Sequence, residues 1–254
     1  MAAVRQKIHL SPCPVLPSHL SFAALTFAAL TFAALTFAAP LAAQAPPATL
    51  IHATQGGTPA FDGDPSGGNP FATAFIQALG EGPGDDRATL TERTLANSGG
   101  GQRPDLAGAP ATLDLRPSGK AVALVIVFAD YGDDQGLASL PGAAFDAARV
   151  SAALKRAGFA ASLAIVGSRA EYFDRLAAFT RQSAGADEAL LYTTGHGMEA
   201  GGNVWLIPPE FDPADRSSAL EPPAIRVAAL GAKLVAKKRN QVFYAGCRDN
   251  PLGF

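Results

Sequence analysis

Cysteine is nearly absent from this chain, with Cys13 and Cys247 alone among 254 residues. Two thiols cannot build a disulfide framework, and on their own they cannot supply a thiolate zinc site. Charge is also sparse. Only 17% of residues are charged, 20 basic against 22 acidic, for a net −2. A nucleic-acid-binding domain leaves a strongly basic footprint, so no nucleic-acid partner is expected. Lys233, Lys237, Lys238 and Arg239 read as a solvated helix end rather than such a patch. Disorder is excluded too, because 48% of residues are hydrophobic and the net charge is small. Glycine (26) and proline (20) are abundant and unevenly placed.

Residues 1–45 have the pattern of an export signal. Arg5 and Lys7 stand near the start without an acid. A repeat follows, Phe-Ala-Ala-Leu-Thr from Phe22, Phe27 and Phe32, closing with Phe37. The run 21–39 carries no charge and is long enough to cross a bilayer as a helix. Pro40 breaks it, and the small residues Ala42, Ala43 and Ala45 follow. A basic start, an apolar run and small residues are the parts of a secretory signal. Cleavage after Ala43 or Ala45 releases a periplasmic or extracellular domain; the alternative is an uncleaved membrane anchor. Losing Arg5 and Lys7 takes the 20 basic residues to 18 and leaves 22 acidic. Cys13 leaves with the leader, so Cys247 becomes the single thiol.

Residues 46–120 are rich in Gly, Pro, Asp and Ser. Two helices are predicted there, one from Asn69 to Leu79 with Asn69 as cap and Pro70 in the first turn, one from Arg87 to Asn97. Residues 98–120 have the composition of a linker. From Ala121 the pattern becomes regular. Strands are predicted at 121–129, 160–166, 188–194, 204–207 and 241–245, and helices at 141–157, 170–183 and 223–238. Continuous apolar runs such as Ala121–Ala129 suit strands buried on both faces. The order implies an α/β fold, a mostly parallel sheet with helices on both faces.

Sites in such sheets lie at the carboxyl ends of the strands. His196 and Cys247 each follow a predicted strand by two residues and stand 51 positions apart. An imidazole beside a thiol is what nucleophilic cysteine chemistry requires, since it takes the thiol proton and later protonates the leaving amine. The N–H groups of Gly197 and Cys247 are candidates for an oxyanion hole. Taken singly, each residue has a bland alternative as a core cysteine or a satisfied histidine.

The pieces Ala123-Leu-Val-Ile126, Phe145-Asp-Ala147, residues 154–159 (LKRAGF), Tyr192-Thr-Thr-Gly-His-Gly197, Leu206-Ile-Pro208 and Cys247-Arg-Asp-Asn-Pro251 resemble the large-subunit half of caspase-like peptidases, above all metacaspases and their bacterial relatives. The spacing from histidine to cysteine matches a known signature of that group. The resemblance implies a caspase-like fold and a catalytic dyad, with Cys247 as nucleophile and His196 as its partner, acting on a peptide or protein substrate. The small-subunit half, which ordinarily follows the cysteine, resembles residues 51–75 and 101–104 instead. The implied order is a small-subunit-like half at 46–97, a linker at 98–120 and a large-subunit-like half at 121–254, a circular permutation. The alternative is a truncated chain.

In metacaspases the pocket for the residue before the cut is acidic. One acid corresponds to Asp146, which could equally be a first-turn helix acid. The other stands two places before the nucleophile, where this chain has Ala245, and that puts cleavage after basic residues in doubt. Many metacaspases require calcium, and Asp130, Asp133 and Asp134 are the candidates here; three acids alone do not make a calcium site, and no other metal or cofactor is implied. Trp205 reads as core or pocket wall. A silent caspase-like binding or scaffold domain is the competing expectation for the whole chain.

Overall fold

The computed structural model describes residues 44–62, 67–82, 84–132, 136–214, 220–221, 223–250 and 253. The expected leader and apolar run lie outside them, and no helix among the described residues is long and apolar enough to cross a membrane.

A five-stranded parallel sheet organises the domain. Its strands are β1 (Thr49–His52), β2 (Ala121–Val127), β3 (Ala160–Ile165), β4 (Glu188–Thr194) and the last strand, β8 (Arg239–Tyr244). Their order across the sheet is β1-β8-β4-β2-β3. All four pairings are parallel. The α/β expectation with a mostly parallel sheet is therefore met.

Strand β2 is buried throughout, and its side chains divide by parity as the pleat demands. Ala121, Ala123 and Val125 pack on one face with Leu190, Tyr192 and Phe243. Val122, Leu124 and Ile126 pack on the other with Leu191, Val242 and Tyr244. The first face is covered by α1 (Pro70–Gly80), α2 (Asp86–Asn97) and α3 (Pro141–Arg156), through Phe71, Phe75, Leu90, Val150 and Leu154. The second is covered by α4 (Arg169–Ser183) and the one-turn α5 (Val227–Leu230), through Tyr172, Leu176, Phe179 and Leu230. A sheet buried on both faces needs the continuous apolar strands that the sequence supplies.

Local signals set the helix ends. Asn69 Oδ1 accepts from the N–H groups of Phe71 (2.8 Å) and Ala72 (3.3 Å), with Pro70 at the first helical position. Ser168 caps α4 by accepting from Glu171 N–H. Helix α3 ends at Gly158, whose φ of 101° only glycine adopts easily.

One expectation is corrected, and two segments gain detail. Residues 223–238 are not a helix: Ile225–Arg226 form a short strand, β7, followed by α5, a 3-10 turn at Gly231–Lys233 and extended chain. The physical reason is competition. Ile225 completes a small antiparallel sheet by pairing with Leu206, and Asn240 Oδ1 takes the Ala236 N–H. The basic residues thus serve no helix dipole; Lys238 pairs with Asp187 and Arg239 with Glu188. Second, the strand near Val204 is one of three. β5 (Gly197–Ala200) and β6 (Asn203–Leu206) form a hairpin, with β7 beside β6. Trp205 belongs to the core beneath it and donates from Nε1 to Ala200 O. Third, residues 98–120, read as linker from their composition, carry packed side chains. Gln102, Leu106, Leu113 and Leu115 are buried, and His52 and Asp105 form an antiparallel bridge beside β1.

Candidate active site

Parallel neighbours bring the two expected residues together. In the β4–β8 pairing Thr193 stands opposite Tyr244. His196 and Cys247 each lie three residues further along, so both leave the same edge of the sheet. Both line one cavity of about 90 Å³, with Ala60, Asp62, Asn69, Asp146, Tyr192, Thr194 and Ala245 among its other walls.

The approach of the two loops depends on glycine. A side-chain carbon at Gly197 would run into the Tyr244 hydroxyl and lie 3.0 Å from Cys247 O. One at Gly246 would meet the same phenol and lie 2.8 Å from Gly195 O. Tyr244 fills that space because its hydroxyl sits 3.3 Å from Cys247 O and 3.5 Å from Trp205 O.

Several contacts hold the half-exposed His196. Its N–H donates to Tyr131 Oη (2.8 Å), Tyr131 Oη donates to Ile207 O (2.8 Å), and Ile207 N–H donates back to His196 O (2.8 Å). The Tyr131 ring packs edge-on against the imidazole at 4.5 Å. Nε2 lies 2.7 Å from Ala138 O. A carbonyl only accepts, so Nε2 carries a proton, and in the neutral imidazole Nδ1 is then the lone-pair nitrogen.

Cys247 Sγ lies 3.4 Å from Ala60 N and 3.7 Å from Ala60 O. Burial pushes the thiol pKa up; Asp249 and Asp62 add to the rise, and the Ala60 N–H opposes it. The shift favours the thiol over the thiolate, so nucleophilic use of this sulfur would need a base. Partial burial also raises the Asp62 carboxyl, against the pull of His196.

The oxyanion candidates have a usable arrangement. Ile207 N–H bonds to His196 O, and β5–β6 pairs Gly197 with Leu206. In an antiparallel ladder the next residue then turns its N–H outward. Glu199, on the same side as Gly197, indeed donates outward to Asp249 O (3.2 Å). The Gly197 N–H thus looks toward the cysteine loop, and the Cys247 N–H donates to no atom among the described residues.

Arg248 ties this loop to the front of the chain. It is 8% exposed; Nη1 bonds Asp105 (2.7 Å) and Thr54 O (3.2 Å), and Nε bonds Glu199 (3.0 Å). Its N–H donates to Thr58 O, and its carbonyl accepts from Gly57.

Asp146 lies in the cavity wall but beyond the first turn of α3, so the first-turn role is set aside. It accepts from Asn69 N–H (2.7 Å) and is paired with Arg149 (2.9 Å). Asp130 accepts from Gly132 N–H and Ser139 Oγ. Asp133 and Asp134 lie outside the described residues, and no group of three metal-binding side chains occurs among those described. Reading the sequence missed Asp62, Tyr131, Tyr192 and Arg248. Tyr131 had a signal: it follows the end of β2 on the edge that carries His196 and Cys247. Compared with known proteins, the chain matches no family model and no curated protein.

Proposed function

We propose that this chain is an exported cysteine endopeptidase of caspase-like type with permuted halves. The observation that carries the reading is the cavity shared by His196 and Cys247, with the Nε2 proton committed to Ala138 O. Permutation is supported by β1 and its neighbours. This front strand lies parallel beside β8, where a strand following the cysteine would lie in the ordinary order. Export rests on the pattern of residues 1–45 alone.

The chemistry follows from the atoms present. The Cys247 proton passes to His196 Nδ1 as Sγ attacks the scissile carbonyl carbon. Negative charge moves to the carbonyl oxygen, where the N–H groups of Gly197 and Cys247 stabilise it. The C–N bond breaks, the imidazolium protonates the leaving amine, and a thioester remains. His196 then deprotonates water, which attacks the thioester and returns the thiol. Ala138 O steadies the imidazolium through both steps.

Cleavage of a peptide library by residues 44–254, with and without calcium, tests the proposal. Cys247→Ala abolishes hydrolysis, and His196→Ala lowers kcat by about two to four orders of magnitude. Wild-type hydrolysis by Cys247→Ala would refute it. The second reading, a silent binding domain, is favoured by Ala245 in the pocket and the raised thiol pKa. Failure of a thiol-reactive peptide to label Cys247 would favour that reading.

A further inference from the structure

We propose that this chain forms a two-fold dimer through the outer edge of its sheet. Strand β3 pairs antiparallel with β3 of a second copy and joins the two five-stranded sheets into one. The inference goes beyond the peptidase reading and does not rest on it.

The two edges of the sheet are unlike. On the outside of β1, His52 and Asp105 exchange backbone bonds of 3.1 and 2.9 Å, and a side-chain carbon at Gly108 would lie 2.9 Å from Leu50 O. The chain closes that edge itself. Strand β3 forms the other edge. Val166 N–H bonds Val127 O, which fixes the parity of the ladder. Ala160, Ser162 and Ala164 turn their backbone groups toward β2, and Ala161, Leu163 and Ile165 turn theirs outward. The outward N–H groups and carbonyls bond to no atom among the described residues. The devices that usually blunt an edge are missing too. Ala160–Ile165 holds no charge and no proline, and its register with β2 runs without a bulge. Leu163 and Ile165 are 41% and 50% exposed.

A second copy is the occupant that fits, because this edge is its own complement. With the axis at Leu163, that residue faces itself and Ala161 faces Ile165 of the second copy. Every outward N–H then meets a carbonyl. Ile165 meets only a methyl at the end of the ladder, and no like charges are opposed, since the strand carries none. The layers above fit as well. Ala161 packs against the first core, so Leu163 and Ile165, of the same parity, project on the face covered by α3. Helix α3 touches β2 and β3 about equally and lies over the line between them. Pairing β3 with its copy sets the two α3 helices two strand spacings apart, about 10 Å, an ordinary helix-packing distance. Leu163 and Ile165 become the floor between them, and the helix contact adds area that a strand pair alone would lack for a stable dimer. On the opposite face α4 packs chiefly on β2. Its two copies stand about 14 Å apart, which leaves Glu171 and Arg175 in water. The closed β1 edge stops further growth, so the product is a dimer rather than a fibre.

Sedimentation equilibrium tests this on residues 44–254, which hold both core clusters in full. A dimer should form with a Kd in the micromolar range or tighter, as for interfaces of standard size. Leu163→Lys sets two cations together on the axis and should weaken the dimer by about tenfold or more, with circular dichroism unchanged. Phe61→Lys is the control. Phe61 is also an exposed apolar residue, but Gln102 holds it near β1, so the dimer should persist. Cross-linking in a Cys247→Ala background checks the register and decides the matter if Leu163→Lys fails to fold. Leu163→Cys should oxidise to a linked dimer, because its Cα atoms stand about 5.5 Å apart across the axis. Ile165→Cys should not, because its two copies lie about 14 Å apart. A monomer at about 0.1 mM, well above a micromolar Kd, would overturn the inference. So would a dimer that survives Leu163→Lys, open-ended polymers, or Ile165→Cys linking as readily as Leu163→Cys. Cleavage of peptides bears on none of these readouts, so the dimer and the peptidase reading stand or fall separately.

Discussion

Replacing Arg248 with methionine is the sharpest test of how the site is held. The arginine joins three separated segments through Thr54, Asp105 and Glu199. Its side chain is 10% exposed, against 30% for Asp105 and 27% for Glu199. Methionine keeps much of the apolar stem and removes the charge. A hydrogen bond to a charged group is worth about 1.5–3 kcal/mol, and breaking a buried pair costs about 3–5 kcal/mol. Both acids are partly solvated and recover some hydration, so the Coulombic part is discounted. Thr54 is fully buried, and its carbonyl loses the Arg248 contact. The expected loss is about 2–4 kcal/mol, a large share of the about 5–15 kcal/mol typical of a folded domain.

Urea unfolding of wild type and variant measures this directly. With a slope of about 1–3 kcal/mol per molar, the midpoint should fall by about 1 M or more. A cycle with Asp105→Asn separates the Arg248–Asp105 coupling from the rest. The same clamp zips β5 to the cysteine loop, since Glu199 also donates from its backbone to Asp249 O. The variant should therefore lose kcat through the oxyanion donors while iodoacetamide still alkylates Cys247. A loss below about 0.5 kcal/mol, the scale of ordinary surface changes, would refute the reasoning.

Acid should weaken the fold through His52. Burial, with Arg248 adding to it, lowers its pKa from 6.5 to about 4. The unfolded chain therefore binds more protons between those values, so stability is full above pH 6.5 and falls as pH drops toward 4, by about 3 kcal/mol in all. Unfolding titrations of wild type and His52→Gln across that window should diverge; parallel curves would exclude this histidine as the sensor. Tyr131→Phe strands the His196 N–H and the Ile207 carbonyl, at about 1–3 kcal/mol for each buried group. Calorimetry should show a lower Tm and kinetics a lower kcat, and retention of both would remove Tyr131 from the support of the dyad. At the sheet edge, Ile165 is 50% exposed, and its replacement by Thr should change stability by no more than about 0.5 kcal/mol. Ile126→Ala, in the sealed centre of β2, should cost about 2–5 kcal/mol; equal losses at the two sites would contradict the burial assigned to them.

What the sequence could reveal depended on how local the cause was. Strands β2, β4 and β8 were legible because burial on both faces forces a continuous apolar run, whatever surrounds it. Helix α1 was legible because its cap, Asn69 before Pro70, lies within the segment it starts. Residues 223–238 misled because Ala and Lys favour a helix locally, while Leu206 and Asn240, distant in sequence, claim the backbone for pairing. The packing within residues 98–120 was hidden for the opposite reason. Gln102 is fully buried and bridges Phe61 N–H to Ala53 O, yet one anchoring side chain among glycines and prolines has no period to detect. The site divides in the same way. The strand-edge rule found His196 and Cys247, since position in a parallel sheet suffices to bring them together. It could not find Asp62, which comes from the front segment, or the unpaired state of the Tyr192 hydroxyl. Nor could it show that Asp146 is already matched by Arg149. The meeting of His196 and Cys247 at one sheet edge is thus fixed by topology, whereas the rest of the cavity wall is fixed by contacts between residues distant in sequence. A motif at the strand ends can therefore be read from the sequence while the pocket around it cannot.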